Sequence, residues 1–315
     1  ILEKIQNSNF LEEPFKHIYI ESFFDNKDFD SIIKQKEINL EGKDDKDLIE
    51  NLLRNGYKIV PFPGTFAGKA EYLKWRKNPN SVNIDPTTEG SGIVFRLIKT
   101  NSQILKELQL FISSERFTNV LKEKFNLEDI LLSKDFGIQK YLDGYEISPH
   151  PDTRKKALTY MININPLLNS DKQNHHTHYL KFKKEREYVY KFWEGNLTFE
   201  RAFCPWDWCE IIKTQNKNNS IVIFSPSNYT LHGVKANYLH LNGQRTQIYG
   251  NLWYENSGCK SVREWNDLDI INPGQKFSQV SMRRKFTSYI INKIDKFKSS
   301  KLIDDTRRSH YENKN

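Results

Sequence analysis

The sequence is short of cysteine and of long hydrophobic segments. Three cysteines occur among 315 residues, Cys204, Cys209 and Cys259, and this odd number lacks the spacing of a zinc site or of a disulfide framework. We therefore expect free thiols and a reducing, cytoplasmic location. No apolar run approaches the roughly 20 residues that a membrane-spanning helix requires, and no repeated segment indicates a solenoid. These absences argue against disulfide-rich, membrane-spanning and repeat proteins.

A one-sided distribution of charge is also missing. The chain has 48 Lys and Arg against 40 Asp and Glu, a net charge of +8, but the two signs are mixed along most of its length. Because nucleic acids are bound by continuous basic surfaces, we do not expect a nucleic-acid partner. One short basic run, Arg154 to Lys156, could contact an acidic substrate or form a solvated loop. Hydrophobic residues at 37% and aromatic residues at 13% are typical of a folded globular protein.

Helical and strand patterns divide the chain into three parts. Residues 1–130 combine helices and strands that should support a core, and Ser114 is predicted to cap one of these helices. Residues 131–256 contain strongly apolar strands and should form that core. Residues 257–315 are an extension in which Met282–Phe297 is amphipathic. This helix could pack on the core or on a second subunit, so the oligomeric state stays open.

Side chains that bind metals occur in the middle part. His150 and Asp152 are two residues apart, so in an extended strand they point to the same face and can bind one cation together. His232 follows a second apolar strand, and a folded-back strand would bring it alongside. Two histidines and one carboxylate leave three coordination positions open for substrate and oxygen, as is typical of non-haem iron(II).

A basic residue follows the distal histidine. Arg245 comes thirteen residues after His232, at the head of the predicted strand Thr246–Tyr254. Two further buried strands are predicted at Ala157–Asn165 and Ser220–Phe224. An arginine in such a place can hold a carboxylate by paired, charge-assisted hydrogen bonds.

From about Phe136 to Tyr254 the chain resembles the iron(II)- and 2-oxoglutarate-dependent oxygenases, most closely the prolyl 4-hydroxylase-like branch. The shared features are, in order, Tyr141 and Gly144, the His150-x-Asp152 motif, the strand Thr159–Asn165, the segment Gly195–Phe199, the strand Ile221–Phe224, His232, Arg245 and the aromatic pair Trp253-Tyr254. The resemblance implies a mainly β fold with helical support (α+β), built on a double-stranded β-helix, which is a jelly-roll or cupin-like core.

The resemblance also implies roles for individual residues. His150, Asp152 and His232 would bind Fe2+, and 2-oxoglutarate would chelate this metal through its keto acid end. The far carboxylate of 2-oxoglutarate would meet Arg245, with Tyr141 as a hydroxyl donor. O2 would be the second cosubstrate, and ascorbate an optional addition.

Two positions depart from the family's pattern. The family often has a tyrosine where Asn163 stands and a serine where Gln247 stands, so both residues are candidates for holding the cosubstrate in another way. The intact Asp152 indicates hydroxylation or a related oxidation, because halogenating relatives have a small residue in its place.

The segment 167–191 is predicted to be an insertion between core strands. It contains His175, His176 and His178, which could bind a second metal, although the ligands on the core strands explain more. Long insertions in compact domains are commonly functional, and a lid or a partner surface is the alternative interpretation.

The reaction that the resemblance implies is oxidation of an unactivated C–H group, with succinate and CO2 as coproducts, by hydroxylation, cyclisation or desaturation. A small molecule such as an amino acid would need a charge partner, for which Arg154 is available, whereas a peptidyl residue such as proline would need an open groove. We favour these two substrate classes over nucleic acid. The alternative of another class is a non-catalytic jelly-roll binding module, against which the intact triad and Arg245 argue.

Overall fold

The computed structural model describes residues 1–61, 65–78, 90–196 and 201–255. The predicted helix Met282–Phe297, the rest of the extension 257–315 and Cys259 lie outside these residues. In the part that is described, no helix combines the length and the apolar character needed to cross a bilayer.

Seven α-helices occur among these residues, and most of them precede the core strands. They are α1 (Leu2–Gln6), α2 (Asn26–Ile33), α3 (Asp45–Arg54), α4 (Lys69–Lys77), α5 (Gln103–Ser113), α6 (Glu115–Lys124) and α7 (Tyr188–Gly195). The strands are β1 (Ile18–Ile20), β2 (Tyr57–Ile59), β3 (Val94–Leu97), β4 (Leu132–Tyr141), β5 (Glu146–His150), β6 (Lys156–Asn163), β7 (Thr177–Phe182), β8 (Cys209–Thr214), β9 (Ile221–Phe224), β10 (His232–Lys235) and β11 (Arg245–Tyr254).

The core consists of two antiparallel sheets between which the chain alternates. The large sheet has the order β1-β9-β6-β11-β4-β3-β2, and the small sheet has the order β5-β10-β7-β8. From β4 onward the chain therefore crosses between sheets at every connection except that from β7 to β8. The inner faces are in contact, since the rings of Phe224 on β9 and Tyr179 on β7 lie 6.4 Å apart. This alternation is the topology of a double-stranded β-helix and confirms the predicted fold.

Strand β11 divides its side chains between two faces, as the two-residue period of a strand requires. Ile248 and Leu252 join the hydrophobic core beneath the helices, whereas Arg245 points to the small sheet and contacts it. On the helical side Gly250 pairs directly with Tyr160 of β6. A Cβ atom on Gly250 would lie 2.0 Å from the Tyr160 ring, so this close approach requires glycine.

Two supporting helices begin at serine caps. The Ser102 hydroxyl accepts a hydrogen bond from the Leu105 amide at 3.3 Å, and the Ser114 hydroxyl accepts one from the Phe117 amide at 3.1 Å. The predicted cap at Ser114 is thus confirmed. Phe117 then packs against Tyr160, with 5.5 Å between the ring centroids. Through this contact α6 covers the outer face of the large sheet.

The segment 167–191 differs from the predicted insertion, because it contains the core strand β7. Residues Thr177–Phe182 pair with β10 on one side and β8 on the other. His178 and Lys181 are half-buried while Tyr179 and Leu180 are fully buried. These two polar side chains gave the strand the composition of a charged loop, which explains the error.

Most of the predicted strand in the segment Gly195–Phe199 lies outside the described residues. Gly195 ends the helix α7, and residues 197–200 lie outside the described part of the chain. The strand beside β7 is instead β8, in which Ile211 and Ile212 are both exposed. Without a buried face, β8 carries no alternating pattern that the sequence could reveal.

Candidate metal centre

His150 and His232 are brought together by the pairing of two strands in the small sheet. They end β5 and begin β10, respectively, and are direct partners in the antiparallel register, with 4.5 Å between their ring centroids. Asp152 follows β5 by two residues. One ligand atom from each of the three residues lies within 4.8 Å of the other two, and all three residues are buried. The sequence therefore identified three side chains that do converge.

The two imidazoles are oriented by backbone carbonyls. Nδ1 of His150 lies 2.8 Å from the Ser148 carbonyl oxygen, and Nδ1 of His232 lies 3.0 Å from that of Thr230. Because a carbonyl can only accept, Nδ1 must carry the proton in each ring. The Nε2 lone pairs are then available for a metal, which is how ligating histidines are commonly held.

The protonation state of the histidines also suits a metal. Burial, together with the neighbouring His232, lowers the pKa of His150 to about 3. Burial likewise lowers the pKa of His232. Both imidazoles are therefore neutral at neutral pH, and the neutral form is the one that binds metals.

Asp152 is held by two hydrogen bonds that the sequence did not predict. Lys156 donates to one carboxylate oxygen at 2.6 Å, and Thr159 donates to the other at 2.5 Å. Burial alone would raise the pKa of the Asp152 carboxyl, but the charge of Lys156 keeps that pKa well below its usual value. Each carboxylate oxygen has two lone pairs, so Asp152 can keep both partners and still bind a cation.

Lys156 itself is buried beside this carboxylate rather than solvated. Its ammonium lies 5.5 Å from the ring centroid of Tyr249 and 5.4 Å from that of Trp253. Although burial lowers the pKa of a lysine, the charge of Asp152 raises that of Lys156 above its ordinary value. The sequence signal for this role was a lysine four residues after the aspartate, within the basic run that we interpreted as a loop.

Arg245 lies between the two sheets with a hydroxyl and aromatic rings around it. Its Nη2 donates to the Thr177 hydroxyl of β7 at 2.9 Å, and its guanidinium lies 4.4 Å from the ring centroid of Tyr141. The residue is 3% exposed. Within the described ranges no carboxylate forms an ion pair with it. A buried guanidinium without a counter-ion is unfavourable, so this pocket is suited to an anionic ligand.

Tyr141 is linked to a row of polar side chains across the large sheet. Its hydroxyl lies 2.5 Å from the side-chain amide of Gln139. In the orientation of the Gln139 amide that satisfies its hydrogen bonds, the oxygen accepts from Arg96 and the nitrogen donates to the Tyr141 hydroxyl. The Tyr141 hydroxyl then keeps its own proton for another acceptor, as the predicted role of hydroxyl donor requires.

Asn163 and Gln247 bind each other in this sheet. The Gln247 amide donates to the Asn163 side-chain oxygen at 2.7 Å, and Asn163 donates to the carbonyls of Gln215 and Lys217 at 2.9 and 3.0 Å. The hydrogen-bonding groups of Asn163 are thus used inside the protein. A contact between Asn163 and a cosubstrate stays a prediction. These hydrogen bonds argue against it, because they already occupy the side-chain amide.

Arg154 contacts protein groups on α7 and in the loop before β10. Its Nη2 lies 3.3 Å from the Trp193 carbonyl and 3.5 Å from the Asn228 side chain. Arg201, which the sequence did not single out, donates to the Asp152 carbonyl oxygen. Phe203 lies against His150, with 4.9 Å between the ring centroids. Arg201 and Phe203 follow the segment Gly195–Phe199 but belong to no motif of their own, so no pattern could have identified them.

Solved structures of prolyl hydroxylases and other 2OG-Fe(II) oxygenases are similar to the chain, whereas no family model and no curated protein matches its sequence. A prolyl hydroxylase from Trichoplax adhaerens, in complex with a hypoxia inducible factor oxygen degradation domain peptide fragment, is 12% identical; the match covers 73% of this chain and 92% of that chain with a TM-score of 0.33. A prolyl-4-hydroxylase from Pseudomonas putida is 10% identical, with 66% and 97% covered and a TM-score of 0.34. The epimerase SnoN in complex with Fe3+, alpha ketoglutarate and nogalamycin RO is 10% identical, with 90% and 96% covered and a TM-score of 0.37. Likenesses this distant carry no functional argument, which depends on the triad and Arg245.

Proposed function

We propose that the protein is a non-haem iron(II)- and 2-oxoglutarate-dependent dioxygenase. The observation that carries this proposal is the buried group of His150, Asp152 and His232, whose ligand atoms lie within 4.8 Å of one another. Two nitrogen ligands and one carboxylate on one side of a metal are the donor set of non-haem iron(II) sites with open positions. The residues present therefore fit the metal.

The residues of the chain have distinct tasks in this proposal. His150, Asp152 and His232 hold Fe2+, and the carbonyls behind the two imidazoles fix their orientation. Arg245 binds the far carboxylate of 2-oxoglutarate, to which Tyr141 donates a hydrogen bond. The two sheets enclose these groups and exclude water from the reacting centre.

When bound, iron(II) with 2-oxoglutarate and O2 supplies the power to oxidise an unactivated C–H group, with succinate and CO2 as coproducts. The substrate in this proposal is a small molecule such as an amino acid, or a peptidyl residue such as proline. The outcome is hydroxylation, or cyclisation or desaturation. Ascorbate is an optional addition, and a cytoplasmic location stays part of the proposal.

An anaerobic titration tests the proposal directly. The metal-free protein is titrated with Fe2+ and then with 2-oxoglutarate, and the visible absorption of the iron–keto acid chelate is followed. We expect a weak charge-transfer band that requires both additions and is lost in Asp152→Ala. Succinate release then serves as the assay in a screen of amino acids and proline peptides.

The contrary result is as informative. If the folded, metal-loaded protein gives no band and no affinity for 2-oxoglutarate, the oxygenase proposal is wrong and the chain is better described as a binding module. The contact of both Nδ1 atoms with carbonyls supports the enzyme, because a module without a metal has no need of two adjacent buried imidazoles whose Nε2 atoms are left for a ligand.

A further inference from the structure

His175 is a buried histidine whose polar atoms are unused. It is 2% exposed, and neither of its ring nitrogens has a hydrogen-bond partner within the part of the chain that the structure describes. The carbonyl of Ser170 is near the ring without meeting hydrogen-bond geometry. A neutral imidazole has one donor and one acceptor, and leaving both without a partner in the interior is unfavourable by about 1 to 3 kcal/mol for each group. Such a residue calls for a ligand.

The surroundings of His175 place it near Arg245, with shared neighbours on β7 and at Tyr238. It precedes Thr177, which accepts the hydrogen bond from Arg245, by two residues. Its ring lies edge-on to Tyr238 with 4.7 Å between centroids, and the Tyr238 hydroxyl accepts from the Arg245 amide at 2.8 Å. After burial and the adjacent His176, the charge of Arg245 also lowers the pKa of His175.

The neighbouring histidines do not share this property. Nε2 of His176 lies 3.3 Å from the Asp171 carbonyl, and Nδ1 of His178 lies 2.9 Å from the Thr214 hydroxyl. Both rings thus have a partner inside the protein. Among the three histidines of this segment, His175 alone presents two nitrogens that a ligand could use.

The chemistry of the pocket indicates which ligand would use them. Arg245 supplies a full positive charge, and a neutral His175 adds a donor without repelling that charge. A carboxylate has two oxygens and accepts several hydrogen bonds, so it can bind Arg245 and His175 together. A neutral or apolar ligand end would leave the guanidinium without a counter-ion.

We propose that His175 donates a hydrogen bond to the carboxylate held by Arg245, and that this pair selects 2-oxo acids that carry a second carboxylate. The inference deepens the proposed function and rests on it. His175 is a positioning residue in this scheme, because it contacts the far end of the cosubstrate and not the reacting atoms.

Calorimetric titration of the Mn2+-loaded protein tests the inference without turnover. The two probes are 2-oxoglutarate and 2-oxobutyrate, which shares the keto acid end and lacks the second carboxylate. We expect His175→Phe to weaken 2-oxoglutarate binding roughly tenfold, the size of one charge-assisted hydrogen bond, and to leave 2-oxobutyrate binding unchanged. His175→Gln, which restores a donor, should recover part of the loss, and the control His178→Phe should bind both acids as the parent does.

A second measurement covers the case in which His175→Phe does not fold. In the parent loaded with Zn2+, histidine ring nitrogens are followed by 15N NMR. We expect one ring nitrogen of His175, assigned with His175→Gln, to shift on addition of 2-oxoglutarate and to stay in place with 2-oxobutyrate. Equal weakening for both acids, no weakening for either, or the same shift with both would overturn the inference.

Failure of the proposed function gives a different result. In that case the metal-loaded parent binds neither acid, and no variant changes this. If the parent binds 2-oxoglutarate through Arg245 and His175→Phe binds it equally well, the oxygenase proposal stands and the role of His175 alone is wrong.

Discussion

At the scale of single residues, the positive charge of Lys156 balances the carboxylate of Asp152 in the candidate site. Its ammonium lies 2.6 Å from an Asp152 oxygen in a fully buried setting, so the carboxylate already has a cation before a metal arrives. When a divalent metal binds, it adds two positive charges next to this ammonium. Lys156 thus stabilises the metal-free site and opposes the metal electrostatically.

We expect Lys156→Met to have opposite effects on the metal-free and metal-bound protein. Removing one partner of a buried ion pair leaves the other uncompensated, so the metal-free variant should lose about 3 kcal/mol of stability. A divalent metal then replaces the missing cation, so Zn2+ or Mn2+ should raise the melting temperature more in the variant than in the parent. The control is Lys155→Met, which removes an exposed lysine. An equal metal-induced rise in both proteins would contradict this role.

Arg245 should affect the cosubstrate and not the metal. We expect Arg245→Met to weaken 2-oxoglutarate binding by roughly 100-fold, because a buried charge pair is lost, while Fe2+ affinity changes little. Arg154→Met is the control, because its contacts lie with Trp193 and Asn228. Calorimetry with each ligand measures both affinities, and an unchanged 2-oxoglutarate affinity in Arg245→Met would reject the assignment.

At the scale of elements, the sequence predicted the strands that are buried on both faces. The expected strands Ala157–Asn165, Ser220–Phe224 and Thr246–Tyr254 agree with β6, β9 and β11 to within two residues at each end. Apolar runs identify β6 and β9, because both of their faces exclude water. The strand β7 was missed because its polar side chains lie at half-buried positions, and β8 because its isoleucines are exposed.

The candidate site was predictable to the extent that its residues share a short motif. His150 and Asp152 are joined by strand spacing, whereas the partners of Asp152 depend on how β6 passes beneath it. Thr177 meets Arg245 only through the packing of the two sheets, and the same packing brings His175 within the electrostatic influence of Arg245. Contacts between residues far apart in sequence have no local pattern, so Thr159, Thr177 and His175 could not be assigned to the site beforehand.

Gly250 sets how closely β6 and β11 approach the helices. In Gly250→Ala the new Cβ would overlap the Tyr160 ring, which packs on Phe117, and a buried ring can move only by disturbing α6. We expect a loss of about 1 to 3 kcal/mol in urea unfolding of the metal-free protein. Gly68→Ala is the matched control, because a Cβ there meets open space. Equal stability of the two variants would show that the ring adapts freely.

At the scale of the whole molecule, buried histidines make the stability depend on pH. Burial is the largest cause lowering the pKa of every histidine in the described ranges. The unfolded chain titrates near 6.5, while folded values fall to about 4 at His176 and about 3 at His150. Between these limits the unfolded state binds more protons than the folded state, so stability falls as the pH falls.

The metal-free protein should therefore weaken on acidification from pH 7.5 to 5. Each histidine that stays neutral when folded contributes a slope of about 1.4 kcal/mol per pH unit below 6.5. Urea unfolding at a series of pH values measures the total slope, and His178→Gln should reduce it by removing one titrating group. A stability that does not change between pH 7.5 and 5 would contradict the burial of these rings.

The insertion of β11 between β6 and β4 has a consequence for synthesis of the chain. β4 pairs along its whole length with β11, the last strand among the described residues, and β11 also pairs with β6. Until Tyr254 has left the ribosome, a nascent chain exposes the facing edges of β4 and β6 with no strand to fill the gap. Unpaired edges are sites of aggregation, so we expect the nascent chain to be most prone to aggregate in the interval before β11 emerges.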